Sequence, residues 1–275
     1  MTVPTITLND GVQIPQLGFG VFQIDPGQDT ERALATAFEA GYRHVDTAQM
    51  YGNEESVGKA IAASGIARDE LFVTTKLNND RHGRDEAQKA LEESLTKLGL
   101  DHVDLFLIHW PLPQRDDFVE TWRGLEQAKA AGTARSIGVS NFQVAHLDRL
   151  AAETDTVPSV NQIEVHPDFT QDELRAYHRD HGIATEAWSP IGQGGELLQD
   201  RTLTSLAEKY GKSPAQVVLR WHIQLGNIVF PKSATPSRIE ENFDVFGFEL
   251  ADDDIASISA LDVGRRLGPN PDEFN

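Results

Sequence analysis

The chain contains no cysteine. That excludes disulfides, thiolate nucleophiles and cysteine-ligated zinc. No run approaches the roughly 20 apolar residues needed to span a bilayer. The first ten residues, MTVPTITLND, lack the basic stretch and apolar core of a secretory signal. A soluble cytoplasmic protein is therefore expected. Positive charge is scarce: 24 Lys and Arg stand against 43 Asp and Glu, a formal net charge of −19. Such a surface repels nucleic acid and anionic membranes, so neither is an expected partner. An anionic ligand would need a local basic pocket. The Gly-rich G-x-G-x-x-G turn of an open dinucleotide-binding sheet is also missing, because the first apolar strand ends GFGVFQ without the third Gly. There is no HxH or HExxH pattern, and no metal is expected. His178 and His181 share a helix three residues apart and read as a solvated polar face rather than a ligand pair. No Pro/Ser-rich linker or low-complexity tract divides the chain, so residues 1–275 are expected to form a single domain. That length suits one α/β barrel of about 250 residues.

What is present is an alternation of amphipathic helical stretches with short apolar runs. The runs are QLGFG (16–20), RHVD (43–46), LFVTTK (71–76), DLFLIH (104–109), RSIGV (135–139), SVNQIEV (159–165), IATEAW (183–188) and NIVFPK (227–232). Several are apolar throughout, as parallel strands buried on both faces should be. Gly41, Gly65, Gly99, Gly132, Gly182 and Gly226 each follow an amphipathic stretch, where a glycine ends a helix. Leu91, Leu95 and Leu98 make one apolar helical face, and Phe118, Trp122 and Leu125 another. Thr170 with Glu173 reads as a capping box, and Ser213, Pro214 and Gln216 mark another helix start. Ahead of them, TITLND-GVQI reads as a β-hairpin turning at Asn9, Asp10 and Gly11. Eight β–α units point to an α/β fold, a (β/α)8 TIM barrel with an N-terminal hairpin, over the rival open doubly wound sheet. The loop holding Gly192, Gly194 and Gly195 follows the seventh strand, near the expected site.

In such a barrel the C-terminal strand ends converge on one mouth. Asp46 ends the second run, Lys76 the third and His109 the fourth, and Tyr51 lies five residues past Asp46. A free phenol has a pKa of about 10 and is a poor proton donor near neutrality. A Lys76 ammonium beside Tyr51 would lower that value, and Asp46 would hold Lys76 charged. His109 can hydrogen-bond a carbonyl oxygen. The set reads as a general acid with an oxyanion-stabilising partner. Taken singly, each residue is equally at home as a helix cap, a packing aromatic, a snorkelling lysine or a structural histidine.

The strings GYRHVDTAQMYGNEE, TTKL, LIHWP, SIGVSNF and FPKS…RIEEN resemble the aldo-keto reductases over essentially the whole chain. The likeness is nearest to bacterial members that include 2,5-diketo-D-gluconate reductases, through ASGIARDELF, NDRH and NQIE.HP. The resemblance implies a (β/α)8 barrel, NADPH as cofactor, and a catalytic tetrad of Asp46, Tyr51, Lys76 and His109, with Tyr51 as proton donor. It places Ser140, Asn141 and Gln162 at the nicotinamide carboxamide and Trp188 on the nicotinamide ring. Polar amides at strand ends and one flat aromatic suit a planar heterocycle. In PKSATPSRIEEN, Thr235 and Pro236 look like a helix start, which favours phosphate. Lys232, Ser233 and Arg238 supply the local basic pocket, with the planar fork of Arg238 suited to a 2′-phosphate. Glu241 and Asn242 match adenine-contacting positions.

Phe22 and Trp110 are expected at the substrate end. Relatives often carry Trp two residues after the tetrad Lys, where this chain has Asn78, which predicts a wider and more polar pocket. The expected activity is reduction of an aldehyde or ketone, a keto-sugar acid or dicarbonyl among them, by a monomer acting on a small molecule. An NADPH-holding sensor barrel with little turnover is the alternative from another class, and a metal-dependent barrel hydrolase a third.

Overall fold

The computed structural model describes residues 3–275. It opens with an antiparallel hairpin, β1 (Thr5–Thr7) and β2 (Gln13–Pro15), with Ile6 opposite Ile14. The turn falls at Asn9–Gly11 as the sequence predicts, with Gly11 at φ 86°, where a side chain would be strained.

Eight parallel strands follow: β3 (Phe19–Gly20), β4 (His44–Asp46), β5 (Phe72–Leu77), β6 (Val103–Ile108), β7 (Ala134–Ser140), β8 (Val160–Glu164), β9 (Ala184–Trp188) and β10 (Ile228–Val229). Each pairs with the next in chain order. The circle closes where Gly18 N–H donates to Val229 O (2.9 Å) and Val229 N–H donates to Gln16 O (3.1 Å). Closure removes the free sheet edge. Helices α1 (Gln28–Ala40), α2 (Glu54–Ala63), α3 (Arg84–Leu98), α4 (Phe118–Ala131), α5 (Val144–Glu153) and α6 (Asp172–Asp180) each link one barrel strand to the next. Both α7 (Arg201–Tyr210) and α8 (Pro214–Gln224) fall between β9 and β10, and α9 (Pro236–Phe243) and α10 (Asp252–Ser259) come last. Among the described residues, no helix is long and apolar enough to cross a membrane.

Side chains alternate across each strand, and that alternation builds two cores. Phe72, Leu105, Leu107, Val160, Ile228 and Phe230 fill the barrel interior. Leu8 and Ile14 of the hairpin join this cluster. Asn9 Nδ2 donates to Pro158 O (3.0 Å), just before β8, so the hairpin packs at the N-terminal end of the strands. The opposite residues meet the helices in a larger cluster that includes Trp122 and Trp221, both fully buried. Phe118, Leu125, Leu91, Leu95 and Leu98 belong to it, as their spacing predicts. Gly138 has no room for more: a Cβ there would lie 2.6 Å from Val160 O and 2.8 Å from Leu107.

All six predicted helix-stop glycines have positive φ. Ser213 and Gln216 form the expected box, with Gln216 N–H donating to Ser213 Oγ (3.3 Å) and Ser213 N–H to Gln216 Oε1 (3.0 Å). Two expectations are corrected. Thr170 does not cap α6: Gln171 occupies that place at φ 49°, and the Thr170 hydroxyl donates to Asp262 instead. Thr170 stands one residue ahead of the cap position, out of place to accept from the first turn of α6. Nor does His178 lie on a solvated face. It is fully buried, with Nε2 accepting from Asn161 Nδ2 (2.9 Å) and Nδ1 donating to Thr185 Oγ1 (2.9 Å).

Candidate active site

One or two strand periods above the apolar interior, the inward positions turn polar. Lys76 lies four residues on from Phe72, His109 two on from Leu107, Gln162 two on from Val160, and Glu186 two on from Ala184. Asp46 stands beside Thr74 in the β4–β5 register. The barrel thus places these side chains at its C-terminal mouth, opposite the hairpin.

Lys76 is fully buried and spends its ammonium on four oxygens. Nζ donates to Asp46 Oδ1 (2.7 Å), Asp46 Oδ2 (2.8 Å), Thr47 O (3.0 Å) and Tyr51 OH (3.3 Å). Burial acts to lower the Lys76 pKa, but Asp46 and Tyr51 outweigh it and the net direction is up. Lys76 therefore stays an ammonium. The phenol differs from expectation. Burial pushes the Tyr51 pKa up, and the opposing pull of Lys76 does not overcome it in the free protein. The cation beside Tyr51 is where it was predicted; what the sequence underweighted is how dry the hydroxyl is.

The His109 ring meets Tyr51 edge-on, with centroids 5.8 Å apart. Burial first, and then Lys76, hold the His109 pKa well below its usual value, so the imidazole is neutral. Its Nδ1 is buried without a hydrogen-bond partner among the described residues. An orphaned ring nitrogen is costly unless something else is to meet it.

Of the residues assigned to the cofactor, Ser140, Asn141, Gln162 and Trp188 fall on the same rim. Ser140 Oγ donates to Gln162 O (2.8 Å). Asn141 Nδ2 donates to His109 O (3.0 Å) and its Oδ1 accepts from Trp188 Nε1 (2.8 Å), which fixes the indole. Asn141 sits at φ 64°, an uncommon conformation for a residue with a side chain. Gln162 Nε2 donates to Asp46 Oδ2 (2.9 Å) and Glu186 Oε2 (2.7 Å). Beyond β10, a Cβ on Gly20 would lie 3.9 Å from that of Lys232, which puts this lysine beside β3. Thr235 and Pro236 do begin a helix, α9, and Ser233 Oγ accepts from Thr235 N–H (3.0 Å). Lys232 and Arg238 are exposed, and neither is ion-paired among the described residues. Two free cations on so acidic a protein fit an anionic ligand such as a dinucleotide phosphate. Glu241 is half-buried and Asn242 buried, both on α9.

Of the residues expected at the substrate end, Phe22 is half exposed and packs on the Tyr51 ring at 5.0 Å. Asn78 is less available than expected, since its side chain accepts from Asn79 N–H (2.9 Å). Trp110 packs against Phe274 at 4.6 Å. Sequence reasoning missed Phe274, which comes from the C-terminal tail and carries no local signal. The tail is tied down at Glu164, which accepts from the N–H groups of Leu267 (2.6 Å) and Gly268 (3.0 Å). Gly268 lies so close to Trp188 that a Cβ would be 2.4 Å from the indole. Glu186 was missed too, although a lone acid inside IATEAW was a visible signal. Burial, then Asp46, pushes its pKa up to about 8, so it is neutral at pH 7.

Comparison with known proteins places the chain in a family. Residues 16–263 match the model of the aldo/keto reductase family. An aldo-keto reductase of Mycolicibacterium smegmatis is 56% identical over 272 residues, 99% of this chain and 98% of that protein. Methylglyoxal reductase DkgA of Escherichia coli is 50% identical over 276 residues, covering 100% of this chain and 99% of its own. A solved structure of a Gox0644 variant in complex with NADPH superposes with a TM-score of 0.95 at 45% identity, covering 100% of both chains. The chain belongs to the aldo/keto reductase family. Membership makes it an NADP(H)-dependent oxidoreductase acting on carbonyl groups.

Proposed function

We propose that this protein reduces small aldehydes and ketones with NADPH, with Tyr51 as the proton donor. One observation carries the reading: the Lys76 ammonium, held by both oxygens of Asp46, also donates to the Tyr51 oxygen. Because Lys76 fills a lone pair of that oxygen, the phenolic proton is free to go to a substrate. The phenolate left behind forms beside a buried cation, which stabilises it. Neutral His109 is suited to donate an N–H to the carbonyl oxygen and hold it near Tyr51. The chemistry that NADPH supplies when bound is hydride for the carbonyl carbon. Trp188 would stack on the nicotinamide ring, Ser140, Asn141 and Gln162 would hold its carboxamide, and Lys232, Ser233 and Arg238 would meet the adenosine 2′-phosphate. Glu241 and Asn242 would meet the adenine.

The relatives named methylglyoxal reductase favour a small α-dicarbonyl as substrate. Phe22, Trp110 and Phe274 would supply its apolar walls and Asn78 an amide N–H. The rim is assembled within one chain, which supports a monomeric enzyme.

The test is stopped-flow mixing of protein and NADPH with methylglyoxal, then with a keto-sugar acid and an aromatic aldehyde, for wild type and Tyr51→Phe. Repeated turnover is expected in wild type. The variant should lose turnover by 100-fold or more, a rough figure for general-acid catalysis, while NADPH affinity stays near normal. A variant that turns over normally removes Tyr51 from the chemistry. A single slow event in wild type would favour a sensor over an enzyme.

A further inference from the structure

Among the described residues, Glu186 is the one ionisable group on the inner wall of the mouth that the proposed mechanism does not use. It is fully buried on β9, it faces Asp46 and Lys76 across the barrel, and among the described residues its only side-chain hydrogen bond is from Gln162. Its second oxygen, Oε1, has no partner among the described residues. A buried carboxyl group with so little support is expensive and needs a reason.

Gln162 supplies one. A primary amide has two N–H donors and one carbonyl oxygen, and left alone it can rotate to present either end. Here one N–H goes to Asp46 and the other to Glu186. With both donors taken, turning the amide over would set its oxygen against the Asp46 carboxylate and give up both hydrogen bonds. Gln162 Oε1 has no partner among the described residues and is the only atom of that amide left for a ligand.

We propose that Glu186 is a positioning residue: together with Asp46 it locks the Gln162 amide so that its carbonyl oxygen receives the N–H of the nicotinamide carboxamide. This rests on the NADPH-binding reading of Gln162 given above. Asp46 alone would restrain one N–H, and Glu186 restrains the second. A neutral carboxyl is well suited, since it accepts the hydrogen bond without setting a second negative charge beside Asp46.

The test is the affinity of the whole protein, by titration calorimetry, for NADPH and for its reduced 3-acetylpyridine analogue, whose acetyl group has no N–H to donate. Wild type should prefer NADPH by about five- to tenfold, the worth of one hydrogen bond. Glu186→Leu and Glu186→Met should bring that ratio close to one, while Glu186→Gln, which still offers an oxygen, keeps it. Gln162→Ala separates the two layers of the argument. If it abolishes the preference while Glu186→Leu and Glu186→Met retain it, the role of Glu186 is refuted and the reading of Gln162 stands. If Gln162→Ala keeps the preference, that reading fails and the proposal with it. Should the apolar variants not fold, the wild-type Gln162 side-chain N–H signals, identified by their loss in Gln162→Ala, decide: slow solvent exchange supports the lock and rapid exchange overturns it.

Discussion

Replacing His178 by Asn should change how stability depends on pH more than it changes the fold. The ring is held in one neutral tautomer. Asn161 Nδ2 donates to Phe142 O (2.9 Å) as well as to His178 Nε2 (2.9 Å), so the amide orientation is set and Nε2 must accept. Nδ1 donates to Thr185 Oγ1. A second proton would turn Nε2 into a donor facing a donor. Burial first, with help from Arg175, Arg179 and His181, lowers the pKa to about 3. In the unfolded chain it returns to about 6.5. Between those values the unfolded state binds the extra proton and the folded state does not, so stability is lost as pH falls below 6.5. At pH 5 that is about 1.5 units, or about 2 kcal/mol, a sizeable share of a typical 5–15 kcal/mol. Urea unfolding of wild type and His178→Asn at pH 7.5 and pH 5 measures it. The variant is expected to be the weaker at pH 7.5, with the gap closing by about 2 kcal/mol at pH 5. The same gap at both pH values would refute a neutral buried ring.

Three other outcomes are expected. Lys76→Met leaves Asp46 buried without its cation and should cost about 3–5 kcal/mol in chemical unfolding; a loss under about 1 kcal/mol would mean that the pair is solvated. Arg238→Ala should weaken NADPH by about tenfold or more, the worth of a charge-assisted hydrogen bond, and leave NADH nearly unchanged; equal weakening in calorimetry would remove Arg238 from the 2′-phosphate. Asn78→Trp should narrow the substrate end and change the ratio of kcat/KM values for bulky and small carbonyls, and unchanged ratios would exclude Asn78 from the pocket.

The architecture was legible because it is periodic. Apolar runs bounded by helix-stop glycines located all eight barrel strands, and the strand alternation that fills the interior with Phe72, Leu107 and Val160 also delivers Lys76, His109 and Gln162 to the mouth. What stayed hidden depends on neighbours distant in the chain. Thr170 looked like a cap until Asp262, 92 residues on, took its hydroxyl. His178 looked solvated until β8 and β9 closed over it. The raised Tyr51 pKa needs a degree of burial that no spacing reports. β3 and β10 come out shorter than their apolar runs, at two residues each, because they meet at the seam where the barrel closes.

The last residues have a practical bearing on how the protein is handled. Asn275 Oδ1 accepts from Gln114 N–H (2.7 Å), one residue beyond the Phe274 ring that leans on Trp110. Anything fused after Asn275 would therefore emerge beside the Trp110–Phe274 contact, at the strand-end side of the barrel. Purification handles belong in front of the hairpin, at the opposite end of the strands, where they leave the contacts of the tail undisturbed.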